Sequence, residues 1–161
     1  MSYELALEAA GAKVIDTHYA GSYQGTWGSV VEYEGKVGLV TGDYGSCSGC
    51  DAFESEFGNY SWGLGKISYN AEKDVYTKNY VGNILKIHLI GGTICTKEEY
   101  EAQQAEYQQK LSDFGKRYLH VIQDRWDIEN QLDNSSNDDW YDEEKRELLN
   151  WALPIVLKHG N

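Results

Sequence analysis

Proline is nearly missing from this chain and cysteine is scarce: 161 residues hold one proline, Pro154, and three cysteines. With so little proline, a long linker would need other punctuation. The few thiols, together with a start (Met1 to Glu8) that lacks a basic region, read as reduced cysteines in a cytoplasmic protein without a signal peptide. Long hydrophobic runs are absent as well. The stretch from Ile84 to Ile90 already contains Lys86 and His88, so no segment reaches membrane-spanning length. Basic residues are outnumbered, 14 against 26 acidic ones, for a net charge of −12. A negative field of that kind repels nucleic acid and anionic membrane and attracts cationic surfaces. Direct nucleic-acid binding and membrane association are therefore not expected, whereas plain solubility accounts for the charge without any partner.

Aromatic residues are plentiful, at 13% of the chain with 13 tyrosines and five tryptophans. That content argues against disorder over the whole chain. It predicts a core built from large rings, whose polar atoms need partners when buried. A chain of 161 residues is most simply one domain, residues 1–161, able to bury a core without metal or disulfide.

Glycine and tyrosine dominate the first half, and helical patterns dominate the second. Lys13 to Tyr19 has the composition of a strand. Trp27, Val31 and Tyr33 share one parity while Glu32 and Glu34 share the other, the period of a strand with one buried face. Glu34-Gly35-Lys36 predicts a turn, and Val37 to Thr41 the returning strand of a hairpin. A second hairpin is expected between Gly63 and Thr77, turning around Asn70 to Asp74. Tyr80, Val81, Ile84, Leu85, His88 and Leu89 have helical spacing with Gly91 as its cap; a strand with Leu85, Ile87 and Leu89 on one face is the alternative. Thr96 and Glu99 form a capping box. The recurrence of Tyr100, Gln104, Tyr107, Leu111, Phe114, Tyr118 and Val121 at spacings of four and three, extended by Ile122 and Trp126, then predicts one long amphipathic helix with a tyrosine-rich seam, in which Gly115 leaves room for a bend. A last helix is expected from Trp140 to Leu153, kinked or ended by Pro154. The fold class is α+β: a small, mostly antiparallel sheet packed by two or three helices.

The densest chemistry lies in Gly42 to Asp51. Cys47-Ser48-Gly49-Cys50 is a C-x-x-C motif, but zinc needs about four ligands, and only Cys95 and scattered histidines remain. Zinc held by Cys47, Cys50, Cys95 and one histidine is the alternative to no cofactor at all. Asp43 and Asp51 carry the wrong charge to stabilise a thiolate. Gly45 to Gly49 also has the spacing of a nucleophile elbow, without the alternating βα chain that such a turn serves. Asp51, Glu54 and Glu56 read as a solvated acidic face on a short helix whose Ala52, Phe53 and Phe57 dock on the core. None of this marks catalysis, and no catalytic residue is assigned.

From Asp124 to Glu144 the chain carries nine acids and one base, a net −8. Asp142, Glu143 and Glu144 suit the first turn of the last helix. Asp127, Glu129 and Asp133, expected at the end of the preceding helix, have no such reason. Trp126, Trp140 and Tyr141 stand among these charges, as anchors in a charged rim do, although core packing explains Trp126 and Trp140 as well. The expected partner-binding residues are thus Asp127, Glu129, Asp133, Asp138, Asp139, Trp140, Asp142 and Glu143. The partner would be a basic protein surface or a protein–nucleic-acid complex.

Ser22-Tyr23-Gln24-Gly25-Thr26-Trp27, followed by Gly42 to Glu54 with Gly45-Ser46-Cys47-Ser48-Gly49-Cys50-Asp51, resembles a pattern in small uncharacterised phage and bacterial proteins. The resemblance covers about the first third of the chain and brings no catalytic residue with it. It implies a phage or mobile-element setting, in which small acidic proteins block host defence complexes. The function expected is a non-enzymatic acidic binding protein. Its sharpest form is a nucleic-acid-mimicking inhibitor of a nucleic-acid-handling complex, and a zinc- or thiol-dependent module around Cys47 and Cys50 is the alternative. The oligomeric state is left open, self-association through the tyrosine seam included.

Overall fold

The computed structural model describes residues 3–45, 51–57, 66–70, 75–79, 93–134 and 140–160. Its centre is an antiparallel meander of three strands, β1 (Lys13–Gly21), β2 (Gly25–Tyr33) and β3 (Lys36–Tyr44). The expected hairpin forms. Tyr33 pairs with Lys36, and the residues between them, Glu34 (φ 49°) and Gly35 (φ 78°), both lie in the left-handed region. Two positive φ values match the right-handed twist of the flanking strands, and glycine takes the second without steric cost.

The strand with a single buried face is corrected. Trp27 and Val31 are buried as expected, but so is Val30 between them, and in β3 both Leu39 and Val40 are buried. Helices cover both sides of the sheet. On the Trp27 side lie α1 (Tyr3–Ala9), α2 (Ala52–Phe57) and α3 (Lys97–Leu119). On the Val30 side lie α4 (Arg125–Asn134) and α5 (Trp140–His159). The α+β class holds, with the sheet in the first half and the long helices in the second. Among the described residues no helix is long and apolar enough to cross a membrane.

The opening helix α1, not among the expected elements, buries Tyr3, Ala6 and Leu7, a stripe at helical spacing. It packs closely on α3, which runs through Gly115 as one helix. A methyl group at Gly115 would overlap the carbonyl oxygen of Ala6, so this glycine provides close approach. The seam of α3 is real where described: Tyr107, Leu111 and Phe114 are buried.

The long helix does not reach Trp126. It ends at Leu119, Val121 is 66% exposed, and the backbone turns to meet β3. Leu39 N donates to Gln123 O at 2.8 Å and Gln123 N donates to Leu39 O at 2.9 Å. Bonds to the edge of β3 thus replace those that another helical turn would supply, and they cover an open sheet edge. Pro154 likewise does not end α5, which continues to His159. Proline removes one helical hydrogen bond, but Pro154 faces solvent. The burial of Leu149, Ala152 and Val156 on either side of it holds the helix on the sheet.

A second antiparallel sheet, β4 (Lys66–Asn70), β5 (Val75–Asn79) and β6 (Thr93–Thr96), contains the second expected hairpin, with Asn70 paired to Val75. Its turn and the Tyr80 to Leu89 segment lie outside the described residues. Thr96 stands immediately before α3, at the position the capping box requires.

Candidate functional site

Two of the segments that the sequence singles out are partly placed by the described residues. The first is the glycine- and cysteine-rich segment that ends at Asp51, where the reading of this residue as a solvated carboxylate is corrected: it is 6% exposed. Its Oδ1 accepts from the Tyr3 hydroxyl at 2.6 Å and from Phe53 N at 2.9 Å, and its Oδ2 accepts from Gly45 N at 3.2 Å. The acid therefore caps α2 and ties it to α1 and to the end of β3. Phe53 and Phe57 dock on the core, as expected. Glu56 faces outward and pairs with Arg117 at 2.5 Å.

Around this carboxylate the rings of Tyr3, Trp27, Phe53, Phe114 and Tyr118 pack together, Tyr3 stacking on Trp27 with centroids 4.5 Å apart. The indole Nε1 of Trp27 is buried without a nitrogen or oxygen partner among the described residues. Gly42 leaves room for it, and the Tyr118 ring stands edge-on at 5.2 Å. Burial pushes the Tyr118 hydroxyl up to about 12, with the Asp51 charge adding to the effect. Burial, then the hydrogen bond to Asp51, raises Tyr3 further. Phenols held neutral in this way donate hydrogen bonds but are neither bases nor nucleophiles at neutral pH. The cluster joins α1, α2 and the end of β3 through packed rings and the hydrogen bonds of Asp51.

Cys47 and Cys50 lie outside the described residues, and so does the segment with elbow spacing. Cys95 falls in β6 with its side chain undescribed. Among the described residues no group of three His, Cys, Asp or Glu side chains is placed to hold a metal.

The second segment is the acidic one. Asp127 does not end a helix; it lies in the first turn of α4. Asp124 Oδ1 accepts from Asp127 N at 2.9 Å, while Asp127 Oδ2 accepts from Asp124 N at 3.1 Å. This reciprocal cap satisfies free N–H groups. The bond from Asp127 N is the main reason the Asp124 carboxyl sits below its ordinary range. Glu129 accepts from Arg125 Nε at 3.0 Å. Both acids thus have local reasons that the expected chain path concealed.

Trp126 is not a core residue. It is 70% exposed, while Ile128, two positions on, is fully buried. Trp126, Glu129, Asn130 and Asp133 follow helical spacing on the outward side of α4, opposite Ile128. Asp133 is exposed in the last turn, where the helix dipole disfavours an acid, and its carboxylate has no hydrogen-bond or ion-pair partner among the described residues. α5 packs on α4 and carries Asp142 and Glu143 in its first turn, with Glu143 exposed. Trp140 opens the same turn, with its side chain and that of Asp142 undescribed, and Asp138 and Asp139 lie outside the described residues. Of the expected residues with described side chains, Glu129 and Asp133 thus share the outward side of α4 with Trp126, and Glu143 is exposed in the first turn of α5. Trp126 itself was not among the expected binding residues; the only sequence signal for it was a tryptophan set within an acidic run. No protein-family model, curated protein or solved structure matches the chain.

Proposed function

We propose that this chain is a non-enzymatic binding protein that docks the outer face of α4 on a basic protein surface. The observation that carries this reading is Trp126, a large indole left 70% exposed on a stripe with Glu129 and Asp133. An exposed tryptophan is the residue type that most often anchors an interface. Its π-face attracts a guanidinium or ammonium group, and nearby carboxylates accept hydrogen bonds from the same cation. The chain's net charge of −12 favours encounter with such a partner at low salt.

In the sharper form of this reading, the partner handles nucleic acid and the carboxylates occupy its phosphate-binding groove. The sequence resemblance to phage proteins supports that form. Affinity capture tests the proposal with the wild-type protein, Trp126→Ala and Asp133→Lys, and with Asp113→Lys as a control of equal charge change at an exposed position of α3. A partner retained by wild type and control, but lost by both α4 variants, is the expected result. An identical set of captured proteins from all four would overturn the assignment of α4.

A further inference from the structure

We propose that a cleft between the β2–β3 turn and the C-terminal end of α3 binds a small aromatic anion. The cleft has a volume of about 320 Å³ and is lined by Tyr33, Glu34, Lys36, Lys116, Leu119, His120 and Ile122. That volume falls at the small end of ligand sites, which span about 300–1,000 Å³. Its floor is apolar: Leu119 is 6% exposed, and Tyr33 and Ile122 are partly buried against the core. Its rim is cationic, in a protein whose acids outnumber its bases 26 to 14.

Lys36 comes from β3 and Lys116 from α3, so the two ammonium groups reach the cleft from different elements. Among the described residues neither lies within 4.0 Å of a carboxylate. Lys116 has a bland role available, since a cation suits the last turn of a helix. Lys36 has no such role. It favours the ionised form of Asp124 at longer range without pairing to it. Glu34 is the one carboxylate lining the cleft, so the rim keeps a net positive charge. Two lysines without a carboxylate partner among the described residues, and a histidine, above an aromatic and aliphatic floor fit a ligand with a flat ring and a single phosphate or carboxylate. The ring would lie against Tyr33 and Ile122, with the anion between Lys36 and Lys116.

Amide chemical shifts of the whole protein report on this site. The probes are adenosine monophosphate, indole-3-acetate, adenosine and inorganic phosphate. Saturable shifts centred on Tyr33 to Lys36 and Lys116 to Ile122 are expected with at least one of the first two, and that one identifies the anion. Adenosine and phosphate alone should bind at least about tenfold more weakly, because each supplies half of the recognition. The double variant Lys36→Gln, Lys116→Gln should keep the amide spectrum of the fold and lose about tenfold or more in affinity. No saturable shift with either aromatic anion, shifts centred elsewhere, or equal affinity in the double variant would each overturn the proposal. None of these results bears on α4, so the two assignments stand or fall separately.

Discussion

The hydroxyl of Tyr3 lies 2.6 Å from Asp51 Oδ1, joining the first helix to the cap of the second beneath the aromatic cluster. Tyr3→Phe keeps the ring packing and removes one donor to a buried carboxylate that retains the N–H groups of Phe53 and Gly45. A hydrogen bond to a charged group contributes about 1.5–3 kcal/mol, and the loss should fall in that range. Urea unfolding measures it, with a lower midpoint at unchanged slope. In combination with Asp51→Asn the losses should be less than additive, because both substitutions break one network. Independent, additive effects would mean that the two groups do not depend on each other.

Alkaline stability follows from the tyrosines. Burial raises Tyr3, Tyr19, Tyr44, Tyr107 and Tyr118 above the ordinary value of 10.0, with nearby carboxylates adding to it for all but Tyr107. Between the unfolded and folded values the folded chain holds more protons, so stability falls as pH rises. The contribution is complete below 10.0 and disappears as pH climbs through the raised values, the Tyr118 part by about 12. Phenolate absorbance and circular dichroism, followed together, should show these tyrosines ionising only as the fold is lost. Gradual ionisation of all tyrosines near 10 with the dichroism intact would contradict the buried cluster.

Gly115→Ala reverses the usual sign of its class. In an exposed helix interior, alanine is about 1 kcal/mol better than glycine. Here the new methyl overlaps the Ala6 carbonyl oxygen and crowds the Ala10 side chain. Backbone on the opposing helix yields poorly, so a net loss of about 1–3 kcal/mol is expected. A thermal or urea midpoint raised by the substitution would show that α1 and α3 do not pack at this contact.

The central sheet and the seam of α3 are legible in the sequence because local patterns determine them. The parity of Trp27, Val31 and Tyr33, the Glu34-Gly35 turn and the spacing of Tyr107, Leu111 and Phe114 all act over a few residues. What is not legible depends on distant partners. Val30 interleaves with an apparently one-sided strand because a second layer of helices covers its side. Asp51 looks solvated until Tyr3 is placed above it. The apolar spacing of Tyr118, Val121 and Ile122 continues a helix on paper, yet Leu39 offers its backbone to Gln123 and the chain turns. That turn resets the helical phase, which is why Trp126 points outward and Asp127 caps a new helix.

The same reset makes it possible to separate structure from binding on α4 with two neighbouring substitutions. Asp124→Ala removes the side-chain oxygen that accepts from Asp127 N, and loss of such a cap costs about 1 kcal/mol. The cost should shrink in acid. The folded carboxyl is lowered from 3.8, so its contribution is present above that value and is lost as pH falls below it. Trp126→Ala removes an exposed ring and should change stability by no more than about 0.5 kcal/mol. At the interface the order inverts: loss of an anchoring tryptophan costs about 2 kcal/mol or more of binding, while Asp124→Ala leaves the outward stripe intact. Parallel unfolding and partner-affinity measurements on the two variants resolve this. If Trp126→Ala unfolds the protein more easily yet binds normally, the indole is a packing residue and the face proposed for α4 is wrong.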